Sequence, residues 1–330
     1  MTGRWVGGLL AGIVLSGAPV GAEAPEVRKV VEGRTFVFRD GKAYERVDGR
    51  ETLFKILYDP AHVERCYRTR DGRVFARSED GKEYPVLRSF ADGFENAASL
   101  ADLIGPARGW SAVTLQSPRA PTVAAYVALR NRILSGASNF LDNRVEPSTA
   151  RAHAGRASLH LYSAAPTRSM TCSKASLETG LAYFVRNDDF WFSGWYFIVG
   201  GRPVGLVDVE STYIDEGPGP RVLLSEAGEP RVELKWADKP TYRAPPGVVV
   251  PRGEWFRLRV HYRLRDDDQG LVQLWLNDEK IIDARGQTLP LPDTVLDRVE
   301  VGLTASPPGG PSELFLDDVA FGAEPPPGAR

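Results

Sequence analysis

The chain has 330 residues, of which 42% are hydrophobic, 25% charged and 10% aromatic, with a formal net charge of -2 at pH 7. Such a composition builds a globular protein with a sizeable core and excludes a disordered chain. The near-neutral charge lacks the basic excess of a nucleic-acid binder, and two cysteines without C-x-x-C spacing give no zinc or thioredoxin chemistry.

Residues 1–22 carry an early Arg4, an apolar stretch and the small residues Val20, Gly21 and Ala22, the pattern of a secretory signal peptide cleaved after Ala22. The expected location is the periplasm or the medium. Glycines and Pro19 break the apolar stretch below the roughly 20 residues of a membrane span, so no span is expected in the mature chain. In an oxidising compartment Cys66 and Cys172 are candidates for one disulfide, which spacing alone leaves open.

From 23 to 87 a small β-hairpin module is expected. RDGKAYERVDGRE (39–51) and RDGRVFARSEDGKE (70–83) form a weak repeat, each with two Asp-Gly pairs suited to tight hairpin turns. TLFKILYDPAH between them reads as strand or short helix. The one convincing helix is APTVAAYVALRNRIL (120–134), with Pro121 near its start and Gly136 beyond its end. Elsewhere short alternating segments punctuated by Gly, Pro and Asp predict an all-β protein.

In SLHLYS, His160 and Tyr162 share one side of a strand and the leucines the other. FWFSGWYF (190–197) sorts into Phe190, Phe192, Gly194, Tyr196 on one face and Trp191, Ser193, Trp195, Phe197 on the other. One set belongs to the core. The other offers flat rings on which sugars stack. In GLVDVEST (205–212), Asp208 and Glu210 share a face roughly 6–7 Å apart, as paired catalytic carboxylates or as solvated strand charges. WFRLRVHYRL (255–264) alternates strictly, placing Leu258, Val260, Tyr262 and Leu264 opposite Arg257, Arg259, His261 and Arg263. That basic stripe is either a groove for an acidic polysaccharide or the solvated side of a half-buried sheet. A hairpin across Asn277-Asp278 follows, and residues 323–330 are a frayed, disordered tail.

The succession WFRLRVHYRL, GLVQLWLNDEKIIDARG, VEVGLTA and LFLDDVAF resembles the concanavalin A-like jelly rolls, specifically the heparin-lyase-like polysaccharide lyases. KASLETGLAYFVRNDDFWFSGWYFI (174–198) is similar to the paired strands that precede the substrate cleft in that group. The resemblance covers 88–322 and implies a jelly-roll β-sandwich with a polysaccharide or oligosaccharide partner on a concave sheet face. The candidate glycan-binding residues read from the strand faces are Trp191, Trp195, Asp208, Arg257, Arg259 and His261.

Lyases of this kind use a strand-borne Gln-x-His with a tyrosine, whereas residues 208–210 read Asp-Val-Glu. Elimination beside a uronic carboxylate needs that carboxylate neutralised and a base poised near the working pH. A lyase here would use His160, Tyr162 and an arginine in place of the usual set, with Glu210 as a further catalytic candidate. The laminarinase-type hydrolases, a second resemblance, carry Glu-x-Asp-x-Glu; here Leu206 stands at the nucleophile position, and an inverting route would need Asp188, Asp189 or Asp215. With both motifs broken, glycan binding is the first expectation, polysaccharide lyase the second, and a cell-envelope structural or adhesion role the third. SFADGFEN (89–96) and ELFLDDVAF (313–321) resemble the first and last strands of carbohydrate-binding jelly rolls, which implies structural calcium at Glu95, Asp317 and Asp318.

Overall fold

A computed structural model describes residues 27–31, 34–39, 42–56, 67–77, 81–105, 108–214, 217–235 and 241–326. The expected signal peptide, Cys66, Asp215 and the end of the tail lie outside the described residues; Cys172 is a half-buried free thiol. No helix among the described residues is long and apolar enough to cross a membrane.

The N-terminal segment holds more than two hairpins. Strands β1 (Val27–Val31), β2 (Arg34–Arg39), β3 (Lys42–Val47) and β4 (Arg50–Ile56) form one antiparallel sheet, and β5 (Tyr67–Arg70), β6 (Arg73–Arg77) and β7 (Glu83–Pro85) a second. One Asp-Gly pair of each copy makes a hairpin turn, the second pair of the first copy and the first pair of the second: Asp48-Gly49 joins β3 to β4 and Asp71-Gly72 joins β5 to β6, with φ of 51° and 76°, 52° and 72°. Both central residues left-handed is what the tight hairpin turn demands. A bare two-stranded hairpin is marginal in water, so flanking strands complete each sheet. The ambiguous TLFKI resolves as strand β4.

The sandwich follows. Its elements are β8 (Ser89–Asp92), α1 (Leu100–Leu103), β9 (Ala112–Thr114), α2 (Val123–Leu134), β10 (Arg144–Ser148), β11 (Ser158–Ser163), β12 (Ser173–Thr179), β13 (Asp189–Gly200), β14 (Gly205–Glu210) and β15 (Pro220–Leu224). Then come β16 (Pro230–Leu234), β17 (Thr241–Arg243), β18 (Trp255–Arg263), β19 (Leu271–Leu276), β20 (Glu279–Arg285), β21 (Arg298–Ser306) and β22 (Ser312–Gly322). One sheet runs β10-β11-β22-β13-β18-β19-β20, with β8 also paired to β22; the other runs β17-β16-β15-β14-β21-β12-β9. The two antiparallel sheets form a jelly-roll β-sandwich.

The expected helix is α2. The Thr122 hydroxyl accepts from the Ala125 amide, Gly136 turns the chain at φ 74°, and the helix lies against β9.

Alternation decides what each strand buries. Leu159, Leu161, Phe190, Phe192, Tyr196, Leu258, Val260 and Tyr262 from the eight-stranded sheet meet Val207, Val209, Val222, Val299, Val301 and Leu303 from the seven-stranded one. The register of WFRLRVHYRL and FWFSGWYF is thus as the sequence predicts, and every second residue faces outward.

At Gly302, in the middle of β21 at φ 112°, the facing sheet leaves no room for a side chain: a Cβ there would stand 2.3 Å from Leu161 Cδ2 and 3.2 Å from the Ala175 carbonyl oxygen. Gly302→Ala is therefore expected to cost about 2–3 kcal/mol of stability through overpacking and backbone strain. Urea unfolding should show a lower midpoint at unchanged slope; an unchanged midpoint would refute the contact.

Candidate functional site

The residues singled out in the sequence separate onto two outer surfaces. Asp208 and Glu210 lie on β14 of the seven-stranded sheet. His160, Tyr162, Trp191, Trp195, Arg257, Arg259 and His261 lie on β11, β13 and β18 of the other sheet, whose inner side chains fill the core. The grouping of His160, Tyr162 and Glu210 as one catalytic set, and of Asp208 with the tryptophans as one binding set, is corrected by this topology. Alternation says which side of a strand a residue takes, and not which sheet the strand joins. His160 is also occupied, its Nε2 lying 2.9 Å from Glu313 Oε1 and its ring stacked on Phe315. Asp188 is held by Arg88, and Asp189 by His261 and Arg263.

The outer face of the seven-stranded sheet is a layer of acids and bases. Cross-strand register aligns Glu233, Arg221, Asp208, Glu300 and Glu178 on adjacent strands. Glu210 accepts from Lys235 Nζ at 2.5 Å and from Arg298, which also lies 3.5 Å from Glu178. Lys174 stands 3.6 Å from Glu300, which accepts from the Ser176 hydroxyl. Thr304 donates to Asp208 at 3.1 Å, and Arg221 to Glu233 at 2.6 Å. Arg231 and Arg243, opposite one another on β16 and β17, continue the surface.

Burial orders the layer by charge. The side chains of Glu210 and Glu300 are 1% and 2% exposed and Asp208 is 3% exposed as a residue, whereas the Lys174, Arg221, Lys235 and Arg298 side chains are 25–30% exposed. Carboxylates sit beneath and cations above. Burial, with Glu300 and Glu210 nearby, pushes the Asp208 carboxyl up to about 6. Burial also pushes Glu178 up, reinforced by Glu300. For Glu210 burial acts upward too, but Lys235 and Arg298 outweigh it and hold the carboxyl below its usual range. Burial disfavours the Lys174 ammonium, yet Glu300, Asp208 and Glu210 more than compensate and raise it.

Of this layer the sequence reading had marked Asp208 and Glu210 as site residues. Lys174, Glu178, Arg298 and Glu300 were missed, although KASLE and RVEVG carry the same signal, polar or charged residues at every second position with apolar ones between.

Glu95, just after β8, and Asp317 and Asp318, on β22, all bind the same loop. Glu95 Oε1 accepts from the Arg156 and Ala157 amides, and Asp317 Oδ2 from those of His153 and Ala154. Asp318 Oδ2 lies 2.8 Å from His153 Nδ1. The loop 151–157 is thereby fastened to β22 and to the segment that follows its neighbour β8. Gly155 makes the approach feasible, since a Cβ would lie 2.2 Å from Glu95 Oε1. No group of three or more His, Cys, Asp or Glu side chains placed to hold a metal ion occurs among the described residues.

No protein-family model matches the sequence, and no curated protein does. Among solved structures, the endo-β-1,4-glucuronan lyase of the fungus Trichoderma reesei superposes with a TM-score of 0.51 at 14% identity, over 72% of this chain and 95% of the lyase. The cellulose-induced protein Cip1 gives 0.48 at 16% identity over 72% and 98%, and the alginate lyase Aly36B 0.40 at 10% over 72% and 97%. At such identity the likeness to the glucuronan lyase is one of fold.

Asp208 supplies a pH test. With its carboxyl raised from 3.8 to about 6, the native state binds more protons than the unfolded chain between these values, so this group's contribution to stability declines as pH rises through that window. Asp208→Asn is expected to be more stable than wild type at pH 7, by about 1–3 kcal/mol, with the difference vanishing near pH 4. Urea melts at pH 4, 5.5 and 7 check this. A variant weaker than wild type at pH 7 would mean that the ionised carboxylate stabilises the layer.

Proposed function

We propose that this jelly-roll protein engages a glycan, and that its ligand is an anionic polysaccharide lying along the outer face of the seven-stranded sheet. The observation that supports this reading is the vertical order of charge. A polymer approaching that face meets the ammonium and guanidinium groups of Lys174, Arg221, Lys235 and Arg298 before any of the three most buried carboxylates. Guanidinium pairs with carboxylate or sulfate through two parallel hydrogen bonds, and the acids beneath pre-orient the cations. Arg231 and Arg243 extend the cationic track across β16 and β17. On the pattern of residues 1–22 the place of action is the periplasm or the medium.

Polysaccharide lyase activity is the second reading, and a specific observation favours it. The Asp208 carboxyl, raised to about 6, exchanges a proton near neutral pH as a general base must. Its burial speaks for binding instead, because substrate reaches it only if the cations above part.

Affinity electrophoresis against glucuronan, alginate and neutral glucans tests both. The expected result is retardation by a polyuronate that weakens with added salt and falls about tenfold in Arg231→Ala/Arg243→Ala, whose arginines lie at the accessible end of the track. Growth of ultraviolet absorbance from an unsaturated product, lost in Asp208→Asn, would establish the lyase. If neither binding nor turnover is seen, the envelope or adhesion role takes precedence.

Calcium at the Glu95–Asp317 junction belongs to the same proposal. The ion takes six to eight oxygens, so two carboxylates would have to be joined by main-chain carbonyls of loop 151–157 and water. Chelation is expected to lower the thermal midpoint by several degrees, with recovery in excess calcium, as mass action requires. Coincident melts with and without chelator would leave the amide-to-carboxylate hydrogen bonds as the sole fastening.

A further inference from the structure

The outer face of the eight-stranded sheet plays no part in the polyuronate reading, yet it is the more aromatic of the two. Adjacent strands β13, β18 and β19 turn Trp191, Trp195, Trp255 and Trp275 to this one side, each half-buried. Trp191 lies flat on His261, with centroids 4.0 Å apart and planes within 4°, and Trp275 is 5.9 Å from Trp191. Trp195 lies on His153 at 3.7 Å and 13°.

The imidazoles are themselves clamped. His261 Nδ1 is 2.8 Å from Gln273 Oε1 and Nε2 is 2.7 Å from Asp189 Oδ1, while His153 is held by Asp318. The indoles are therefore oriented before any ligand arrives, which lowers the ordering cost of binding. Three cations on this face are paired with acids, Arg257 with Asp278, Arg263 with Asp189 and Lys280 with Asp283, while Arg257 also lies 5.6 Å from the Trp195 ring and Arg259 and Lys280 lie 5.2 and 5.5 Å from the Trp275 ring. Ser193 and Gln273 stand among the rings.

Flat rings interleaved with internally neutralised charges and hydrogen-bonding side chains suit a ligand with apolar faces, a hydroxyl rim and no charge. A protein partner would favour a contact centre depleted of charge. We infer that this face is a second carbohydrate-binding surface, taking an uncharged pyranose chain across Trp191, Trp195 and Trp275, on the opposite side of the sandwich from the cationic layer. It stands independently of the polyuronate reading, since it rests on different residues.

The test is a titration of the full chain with cellohexaose, laminarihexaose and xylohexaose at millimolar concentration, followed by tryptophan fluorescence and calorimetry. At least one neutral hexasaccharide is expected to bind and shift the emission. Trp191→Ala and Trp275→Ala should each weaken that binding about tenfold, as loss of an aromatic anchor does. Polyuronate binding should survive both substitutions, and neutral-glycan binding should survive Arg231→Ala/Arg243→Ala. Thermal midpoints are recorded for every variant, and the wild-type emission shift stands as a readout if an alanine variant fails to fold. Absence of any neutral-glycan response in the wild type overturns the inference. So does loss of polyuronate binding in Trp191→Ala, which would make the face part of one acidic-glycan surface.

Discussion

The sandwich depends on the close approach of its two sheets, seen most directly where Leu161 presses against Gly302. Side chains from both inner faces fill one continuous core, so a strand that commits alternate residues to it must present the rest outward. Phe190, Phe192 and Tyr196 go in; Trp191 and Trp195 come out. Val207 and Val209 go in; Asp208 and Glu210 come out. The molecule consequently has two outer surfaces whose compositions are set by the same periodicity yet are separated by the full thickness of the core.

The charged surface is unusual in how little of its acid meets water. Isolated carboxylates at 1–3% exposure would be costly, and the cost is offset only because each has a hydroxyl or cationic partner within hydrogen-bonding or ion-pair reach. The arrangement places opposing demands on neighbours: Glu210 is kept ionised by Lys235 and Arg298, whereas Asp208, flanked by Glu300 and Glu210, is driven toward its neutral form. Separating the behaviour of adjacent carboxyls in this way is a recurrent feature of functional sites.

The aromatic surface is built on a different principle. Its rings are fixed by stacking on imidazoles that are themselves hydrogen-bonded, and Arg257 and Arg263 are paired with acids. The three-stranded sheet reaches the sandwich through Tyr67, whose hydroxyl lies 3.3 Å from Asp297 and whose ring packs edge-on against Tyr183. Asp297 directly precedes Arg298, and its amide donates to the Glu210 carbonyl, so this sheet braces one end of the charged layer.

Much of the architecture was legible in the sequence. Local rules act over a few residues: period-two alternation gave the faces of β13 and β18, Asp-Gly pairs gave hairpin turns in the repeat, and Pro121 with Gly136 bounded α2. What the sequence could not decide was sheet membership. β14 and β18 both read as strands with a polar side, but pairing of β14 with β21 and of β18 with β13 sends those sides in opposite directions. Partner choice between strands is made by long-range packing, and it alone determined that Asp208 and Glu210 join Lys174, Arg298 and Glu300 rather than the tryptophans.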